Sequence, residues 1–348
     1  MSYDRLLVHI GFAVFVFVCS YLLTFVMRQR FKIMDVPNQR SSHKVAVPRS
    51  GGVAIVLAST LAVVLYLLLG TSSLLPQDNL IHFAFAYGIV VVMSLVDDIK
   101  QIGVLGKLIA QIMAAALVVS AGFWVKTLDI PFLGTVNLGW FGIALTVFWV
   151  VAVTNAFNFM DGLDGLAGGQ AVLTLLVFGI ITFFNGSHFV FVISYCLMAA
   201  CLGFLLHNLH PAKIFMGDTG SQFLGFTFAL LGVIASQFDQ AETTIMVMPI
   251  LLFSFLWDTA FTLIRRKLAG DPITAHRTHL YQLLNRLGVG HRGVAGLYYA
   301  FAILQGGLAL LTMELKGLMS LISIIILCVV FSIYSLLITR KARAAGLI

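Results

Sequence analysis

Long apolar runs follow one another along the whole chain, and they restrict its fold more than any other feature. Most of them approach the ~20 residues that an α-helix needs to cross the hydrocarbon of a bilayer. The chain is 60% hydrophobic and 10% charged, whereas a soluble domain is about 25% charged. The runs are continuous and do not alternate with polar residues, which disfavours membrane strands. We therefore predict an all-α integral membrane protein, with residues 1–348 forming a single multi-span domain.

The apolar runs predict eleven transmembrane helices. They cover roughly residues 6–27, 53–69, 80–96, 104–121, 140–155, 166–184, 189–206, 221–237, 244–264, 294–312 and 318–339. The first run is too long for the core of a signal peptide and is followed by basic residues, so we expect it to be retained as a helix. The four cysteines lie inside apolar runs without a CxxC pattern, and neither a disulfide framework nor a zinc site is predicted from them.

The basic residues are distributed unevenly between the loops, and this predicts an orientation. When the first terminus is placed outside, 18 of the 21 lysines and arginines fall on one side and 3 on the other. By the positive-inside rule the basic side is cytoplasmic, so the N-terminus lies outside and the C-terminus lies in the cytoplasm. The net charge of +7 indicates contact with anionic membrane lipid and does not indicate nucleic-acid binding.

Aspartates collect on the same side, at the ends of apolar runs. Asp97 and Asp98 end the third run, within LVDDIKQIG at residues 95–103. A carboxylate near the bilayer centre costs on the order of 2.5–3.5 kcal/mol, and less toward the interface. Adjacent carboxylates also repel each other unless a cation or a proton relieves them. The pair therefore suits Mg²⁺ binding or acceptance of a proton, and the alternative is a polar helix end that faces water.

A second polar stretch, NAFNFMDGLDGLAGG at residues 155–169, separates two apolar runs. Asn155, Asn158, Asp161 and Asp164 recur every three residues, a spacing that places them on one face of a helix. The glycines allow a ligand or another helix to approach the backbone closely. The alternative is that Asp161 or Asp164 caps the sixth helix and that the glycines serve helix packing.

A third stretch, HNLHPAKIFMGDTGSQFLG at residues 207–225, carries an aspartate between glycines. Asp218 in this setting could reach a metal ion, with hydroxyl, carbonyl or phosphate oxygens completing the shell. Lys213 could meet a phosphate as a point charge. The alternative is a turn in which Asp218 caps its own backbone.

Two basic loops complete the set of candidate regions. DPITAHRTHLYQLLNRLGVGHR at residues 271–292 places His276, Arg277 and His279 together, and such side chains bind phosphate or move protons. DVPNQRSSHKVAVPRSGG at residues 35–52 supplies His43 and Arg49 among other basic groups. For both loops the alternative is an ordinary positive-inside loop beside anionic lipid.

One further acid lies inside the ninth run. Asp258 is about two turns from the end of that run, and we interpret it as an ion-pair partner of Arg265 or Arg266 rather than as part of a site.

Together, the five stretches resemble the polyprenyl-phosphate N-acetylhexosamine-1-phosphate transferases, the MraY/WecA superfamily. The family pattern appears as DVPNQRSSH with PRSGG, VDDIK, NAFNFMDGLDGLAGG, HNLHPAKIFMGDTGS and HRTHLYQ, in that order. The resemblance implies transfer of a sugar-1-phosphate from a UDP-sugar to an undecaprenyl-phosphate-like lipid, with release of UMP and a requirement for Mg²⁺ or Mn²⁺. It places the reaction at the cytoplasmic face of a bacterial inner membrane.

The resemblance also implies roles for individual residues. It makes Asp97 and Asp98 the catalytic pair and Asp218, with Asp97, the metal ligands. The substrate-binding set that it implies is Asn155, Asn158, Asp161, Asp164, Asn208, Lys213, His276, Arg277, His279, His43 and Arg49. Asp164 would face the uridine, and the loop with His276 would hold phosphate or sugar.

The HRTHLYQ sequence resembles the branch that begins O-antigen and capsule synthesis. It differs from the run of consecutive histidines in the peptidoglycan branch, and this argues against a muramoyl-pentapeptide donor. That peptidoglycan enzyme and a secondary transporter with an intramembrane acidic site are the alternatives. The transporter is disfavoured because the acids lie at one face and no inverted repeat is visible. The sugar and the oligomeric state stay open, with a homodimer as one candidate.

Overall fold

Helices make up nearly all of the regular structure in the computed structural model, which describes residues 3–31, 33–36, 45–69, 77–238, 243–272, 276–313 and 316–348. The helices are α1 (Tyr3–Arg30), α2 (Gly51–Leu69), α3 (Gln77–Lys100), α4 (Val104–Ser120), α5 (Trp140–Phe159), α6 (Leu166–Phe184), α7 (His188–Asn208), α8 (Gly217–Gln237), α9 (Val247–Leu251), α10 (Phe253–Leu268), α11 (Leu280–Arg286), α12 (His291–Leu311) and α13 (Lys316–Ala344). Two short antiparallel hairpins accompany them, β1 (Met34–Asp35) with β2 (Val47–Pro48) and β3 (Thr127–Ile130) with β4 (Gly134–Asn137). The predicted all-α membrane fold is confirmed.

Within the described ranges, nine helices are long and apolar enough to cross a membrane. The predicted fourth run forms α4, which is apolar but has 17 residues. The predicted ninth run is interrupted at Leu252, between α9 and α10. Gln170 of α6 donates its amide to the carbonyl of Leu251 at 3.1 Å, so this carbonyl at the interruption has a partner inside the bundle. The eleven predicted runs thus correspond to nine long helices, one shorter helix and one interrupted helix.

Helix α8 lies at the centre of the bundle, in contact with α2, α3 and α5. It is buried along its whole spanning stretch, and its mean hydropathy of 1.4 is the lowest of the nine. A helix that faces protein on all sides does not need an apolar surface toward lipid, so Ser221, Gln222 and Thr227 are accommodated in its interior. The short run predicted over 221–237 is therefore the core helix Gly217–Gln237.

The segments that precede α2 and α8 run side by side. Phe215 donates its backbone N–H to the carbonyl of Pro48 at 2.7 Å, and Gly51 donates to the carbonyl of Phe215 at 2.9 Å. Gly52 packs so closely on Gly220 that a Cβ at Gly52 would collide with the Gly220 backbone. This pairing places the beginnings of α2 and α8 beside the end of α3. We call this the site end of the bundle, where α3, α5, α7 and α10 finish and α4, α6, α8 and α12 begin.

Candidate functional site

Three aspartates from distant parts of the chain meet at the site end, and we call Asp97, Asp98 and Asp218 the acidic cluster. The backbone N–H of Asp218 donates to Oδ1 of Asp98 at 2.9 Å, although 120 residues separate the two. Asn158 Nδ2 donates to Oδ1 of Asp218 at 3.1 Å and to Oγ of Ser221 at 2.8 Å. The structure thus brings together four of the residues that the sequence assigned to one site.

Lys107 of α4 links two members of the acidic cluster. Its Nζ lies 2.9 Å from Oδ2 of Asp97 and 2.7 Å from Oδ2 of Asp218. The shared ammonium reduces the repulsion between the two carboxylates. In the sequence, Lys107 is one of the basic residues that predict the orientation, and no role in the site is predicted for it. A cation within an apolar helix is rare enough to mark a functional position, and that signal was present in the sequence.

The adjacent Asp97 and Asp98 have different surroundings. Both oxygens of Asp98 are occupied, because Oδ2 accepts the backbone N–H of Thr219 at 2.9 Å and its hydroxyl at 2.7 Å in addition to the bond from Asp218. Asp98 therefore caps the first turn of α8. In Asp97, Oδ1 is buried and has no hydrogen-bond partner within the described residues. Of the predicted catalytic pair, only Asp97 keeps an uncommitted oxygen.

Gly217 allows the contact between α8 and Asp98. Its φ of +72° lies in the left-handed region. A Cβ there would lie 2.9 Å from Oδ1 of Asp98 and would collide with the carbonyl of Arg49. The predicted alternative of a turn in which Asp218 caps its own backbone is not what the structure shows, because the cap is supplied by Asp98.

Arg49 lies at the edge of the acidic cluster. Its Nη2 donates to the backbone carbonyl of Asp98 at 2.7 Å, near the C-terminus of α3, where a cation is favourable. Its Nε is buried without a partner in the described part of the chain. The other candidate of this loop, His43, lies outside the described residues.

Asn155 belongs to a chain of amides below the acidic cluster. Its Nδ2 donates to Oε1 of Gln111 at 2.6 Å, and Nε2 of Gln111 donates to Oε1 of Gln222 at 3.1 Å. Gln222 then donates to Oδ2 of Asp218 at 3.3 Å. Asn155 thus supports Asp218 through two glutamines that the sequence analysis did not single out.

The predicted helical face holds only for Asn155 and Asn158, because α5 ends at Phe159. Asp161 and Asp164 lie in the loop that follows, so the expectation of one helical face for all four residues is wrong. The cap of α6 is Gly165, with a φ of +75°, and no side chain among the described residues caps this helix. The alternative in which Asp161 or Asp164 caps α6 is therefore also wrong.

The two loop aspartates have opposite electrostatic environments. Burial raises the pKa of Asp161 to about 8, with a further contribution from the nearby carboxylates of Asp218, Asp98 and Asp164. For Asp164, burial alone would raise the pKa, but hydrogen bonds from His291 and His210 outweigh it and hold the pKa at about 2. A cation beside Asp161 would therefore be favourable, because it would offset the burial of this carboxylate and its repulsion by the neighbouring ones. Asp164 already has histidine partners that stabilise its charge.

Asn208 and Lys213 differ in exposure. Asn208 is buried, and its Oδ1 accepts the N–H of Gly165 at 3.0 Å while its Nδ2 donates to the carbonyl of Ile214 at 2.9 Å. Its amide therefore joins two loops. Lys213 is exposed at the same end of the bundle.

Asp258 holds the beginning of α11. Its Oδ1 lies 3.2 Å from Nδ1 of His279 and accepts the N–H of Leu280 at 2.8 Å. Its Oδ2 accepts the N–H of Tyr281 at 3.1 Å and the hydroxyl of Tyr298 at 2.7 Å. The interpretation that Asp258 pairs with Arg265 or Arg266 is wrong, because its ion-pair partner is His279.

His276 and His279 lie in a cationic environment. Their rings stack with centroids 4.9 Å apart. Arg265 donates to the carbonyl of Thr278, and Arg266 donates to the Thr278 hydroxyl at 3.3 Å. Burial, together with His279 and these two arginines, lowers the pKa of His276 to about 4. Arg277 is half-buried beside them, so this loop offers several donors to an anion.

Tyr281 connects the histidine loop to the acidic cluster. Its hydroxyl donates to the carbonyl of Phe159 at 2.9 Å, one residue after Asn158. A Cβ at Gly162 would collide with that hydroxyl. The ring of Phe159 also lies 5.9 Å from that of His279, between centroids. The histidine loop and the acidic cluster therefore belong to one region of the site end.

Similarity to known proteins agrees with this geometry. The family model described as glycosyl transferase family 4 matches residues 80–236, which include the acidic cluster. A probable undecaprenyl-phosphate N-acetylglucosaminyl 1-phosphate transferase of Bacillus subtilis (strain 168) is 33% identical over 287 residues, covering 81% of this chain and 78% of the relative. This chain belongs to the polyprenyl-phosphate N-acetylhexosamine-1-phosphate transferase family. It is a multi-pass membrane transferase, as the sequence resemblance predicted.

Other relatives distinguish between branches of this transferase family. A decaprenyl-phosphate N-acetylglucosaminephosphotransferase of Mycolicibacterium smegmatis is 33% identical over 300 residues, 79% of this chain and 74% of the relative. A phospho-N-acetylmuramoyl-pentapeptide-transferase of Listeria innocua is 45% identical, but only over 113 residues, 32% of this chain and 35% of the relative. The peptidoglycan alternative is therefore not favoured.

Proposed function

We propose that this transferase moves an N-acetylhexosamine 1-phosphate from a UDP-sugar to undecaprenyl phosphate. An oxygen of the lipid phosphate bonds to the phosphorus that carries the sugar, and the bond from this phosphorus to the oxygen of UMP breaks. The products are UMP and a lipid-linked sugar diphosphate, the start of a surface glycan such as O-antigen. The observation that carries the proposal is the acidic cluster beside the histidine loop with its arginines, in a chain that matches 78% of the length of a relative named for such a transfer.

The acidic cluster fits a divalent cation, Mg²⁺ or Mn²⁺. Asp97 and Asp218 would hold it through the two Oδ2 atoms that now share the ammonium of Lys107, because these oxygens already attract one common cation. When bound, the cation neutralises the charges of two phosphate-bearing substrates that otherwise repel each other. Asp98 keeps Asp218 in place by holding the beginning of α8.

The protein side chains then have distinct roles in the proposal. Asp97 accepts the proton of the lipid phosphate at Oδ1, and Lys107 supplies a positive charge beside the reacting phosphates. Asn158 orients Asp218, and Asp161 lies on the nucleotide side of the acidic cluster. The basic groups of the substrate-binding set would bind the donor diphosphate and the sugar, and these are His276, Arg277, His279, Arg49, Lys213 and His43.

Asp164 and Asn208 belong to the nucleotide side of this proposal. The Asp164 carboxylate is engaged by His210, His291 and the N–H of Ala212, which lies 3.1 Å from Oδ2. The amide of Asn208 is engaged at both ends. We propose that these two residues form the wall beside the nucleotide and that Asp164 faces the uridine.

The position of the reaction follows from the charge distribution. We propose that the site end faces the cytoplasm at a bacterial inner membrane, and the positive-inside rule supports this because that end contains most of the basic loops. The lipid tail then stays in the bilayer while its phosphate meets a water-soluble donor at the membrane surface.

UMP release by purified protein tests this proposal. With undecaprenyl phosphate, Mg²⁺ and a panel of UDP-N-acetylhexosamines, we expect UMP to form with at least one donor. Asp218→Ala should abolish release, whereas Asp129→Ala should retain it, since Asp129 is exposed in β3, where its carboxylate accepts a hydrogen bond from the Thr135 hydroxyl at 2.6 Å. Wild-type turnover by Asp218→Ala, or no turnover with any donor, would contradict the proposal.

A further inference from the structure

The hairpin of β3 and β4 carries large apolar side chains at its tip. Phe132 is 90% exposed and Leu133 is 75% exposed, and both lie in the turn between the two strands. The hairpin connects the end of α4 to the beginning of α5, so it lies at the end of the bundle opposite the site end. A turn that faces water is normally polar, whereas adjoining exposed apolar side chains mark an interaction surface.

The backbone of this turn is strained at Phe132. Its φ of +68° lies in the left-handed region, which a bulky residue rarely adopts. The turn is closed by a hydrogen bond from the N–H of Leu133 to the carbonyl of Ile130 at 3.1 Å. Glycine or asparagine would form the same turn with less strain. An aromatic side chain at this position therefore indicates a contact that compensates for the strain.

Two neighbouring helices fix the depth of the hairpin in the membrane. The spanning stretches of α13 and α5 begin at Gly317 and Trp140. Pro131, beside Phe132, packs on the first of these residues, since a Cβ on Gly317 would lie 3.6 Å from the Pro131 ring. Trp140 is 87% exposed, as is typical of tryptophan at a membrane surface. The tip is thus level with the beginnings of two spanning helices.

The backbone that leads from α4 into the hairpin is hydrogen-bonded by side chains. Oε1 of Gln237, the last residue of α8, accepts the N–H groups of Lys126 at 2.9 Å and Thr127 at 3.2 Å. Its Nε2 donates to the carbonyl of Thr127 at 3.2 Å, and the hydroxyl of Thr146 accepts the N–H of Val125 at 2.9 Å. Non-helical backbone at membrane depth must be paired within the protein in this way. Helix α4 has 17 residues and covers only ~25 Å of the ~30 Å hydrocarbon core, so this segment lies close to that core.

We propose that the β3–β4 hairpin anchors the protein in the lipid leaflet opposite the site end, with Phe132 and Leu133 inserted among the acyl chains. The occupant of the exposed tip is lipid, because the tip adjoins the first turn of α5, where Trp140 and Phe141 are exposed toward the membrane. Insertion removes apolar surface from water and thereby compensates for the strained turn. The hairpin also binds the last turn of α8 through Gln237, so the anchor fixes the depth of the core helix. The anchor is independent of the proposed transfer reaction.

Tryptophan fluorescence of the purified full-length protein in lipid nanodiscs tests the depth of the tip. Phe132→Trp is compared with the wild type, and the difference between them reports the added ring beside the four native tryptophans. Phospholipid with bromine on its acyl chains should quench most of this difference, whereas iodide in the buffer should quench only a small part. Ala345→Trp is the control, because Ala345 is exposed beyond the end of α13, and there the two quenchers should act in the reverse order.

Photolabelling of the wild type makes the same test without a substitution, and it decides the question if Phe132→Trp fails to fold. Nanodisc lipid with a diazirine in the acyl chain should form adducts on residues 130–134, located by mass spectrometry. Adducts on spanning helices such as α5 show that the label is active. Iodide quenching of Phe132→Trp as strong as that of Ala345→Trp, or labelled spanning helices without adducts on residues 130–134, would overturn the proposal.

Discussion

Lys107 and Asp218 come from different helices, and the Nζ of Lys107 lies 2.7 Å from Oδ2 of Asp218. The same ammonium lies 2.9 Å from Oδ2 of Asp97. A single cation from α4 thus holds together two carboxylates that would bind Mg²⁺ in the proposed reaction. The arrangement keeps the acidic cluster assembled without its metal, and it makes Lys107 a competitor of the metal for two carboxylate oxygens.

Replacement of Lys107 should therefore destabilise the metal-free protein more than the metal-bound one. Removing one partner of a buried ion pair costs ~3–5 kcal/mol, and less where the groups are partly exposed, as they are here. We expect Lys107→Met to lower the melting temperature by several degrees in EDTA and to recover most of the loss in Mg²⁺. Lys126→Met is the control, since Lys126 lies over the rings of Trp124 and Phe238, away from the acidic cluster. An equal loss in EDTA and in Mg²⁺ would contradict this account.

Substitutions of Asp97 and Asp98 should affect stability differently, although the two residues are neighbours in sequence. Asp98→Ala leaves the first N–H groups of α8 without their acceptor, at roughly 1–3 kcal/mol for each buried unsatisfied group, so both stability and UMP release should fall. Asp97→Asn removes the proposed proton acceptor and should reduce turnover by about 10²–10⁴-fold with a small change in melting temperature. Thermal unfolding and UMP release measured on both variants check this. If the two variants lose the same amount of stability, the assigned difference between them is incorrect.

Asp258 should act on the reaction through His279 and the beginning of α11. Asp258→Asn weakens the contacts with Nδ1 of His279 and with the beginning of α11, so we expect kcat/KM for the donor to fall by roughly 10–100-fold. Because the two residues form one unit, adding His279→Asn should change kcat/KM little further. Asp271→Asn is the matched control, since the Asp271 carboxylate is exposed, unlike that of Asp258, and its contact with Arg266 is 3.4 Å long. Additive effects of the Asp258 and His279 changes would refute the coupling.

His276 should make the folded state sensitive to acid. Its pKa is lowered to about 4 in the folded protein by burial and by neighbouring cationic groups, whereas the unfolded value is about 6.5. Between these two pH values the unfolded chain binds the additional proton, so stability falls as the pH drops from about 6.5 to about 4. His276→Gln should flatten this part of the stability profile, measured as melting temperature against pH. An unchanged slope would show that His276 is already charged in the folded protein.

Much of the fold and the membership of the site could be predicted from the sequence. The apolar runs and the one-sided distribution of charge can be read directly along the chain, because each residue of a spanning helix is constrained by its own contact with lipid or with the membrane surface. The sequence did not predict that the ninth run is interrupted at Leu252, nor that the short run at 221–237 is the core helix of the bundle. The position of α8 at the centre of the bundle depends on its packing against α2, α3 and α5, and the hydropathy of its own residues does not reveal these neighbours.

The sequence by itself determined which residue types gather at the ends of the helices, and the motifs with Asp97, Asn158 and Asp218 sufficed to predict one site. Only the tertiary structure decided what each of these side chains contacts. It showed that Asp97 and Asp98 have different hydrogen-bond partners, that Lys107 contacts the acidic cluster and that Asp258 pairs with His279. The physical reason is that a hydrogen bond or an ion pair depends on positions within a few ångströms, and those positions are set by how helices far apart in sequence pack against each other.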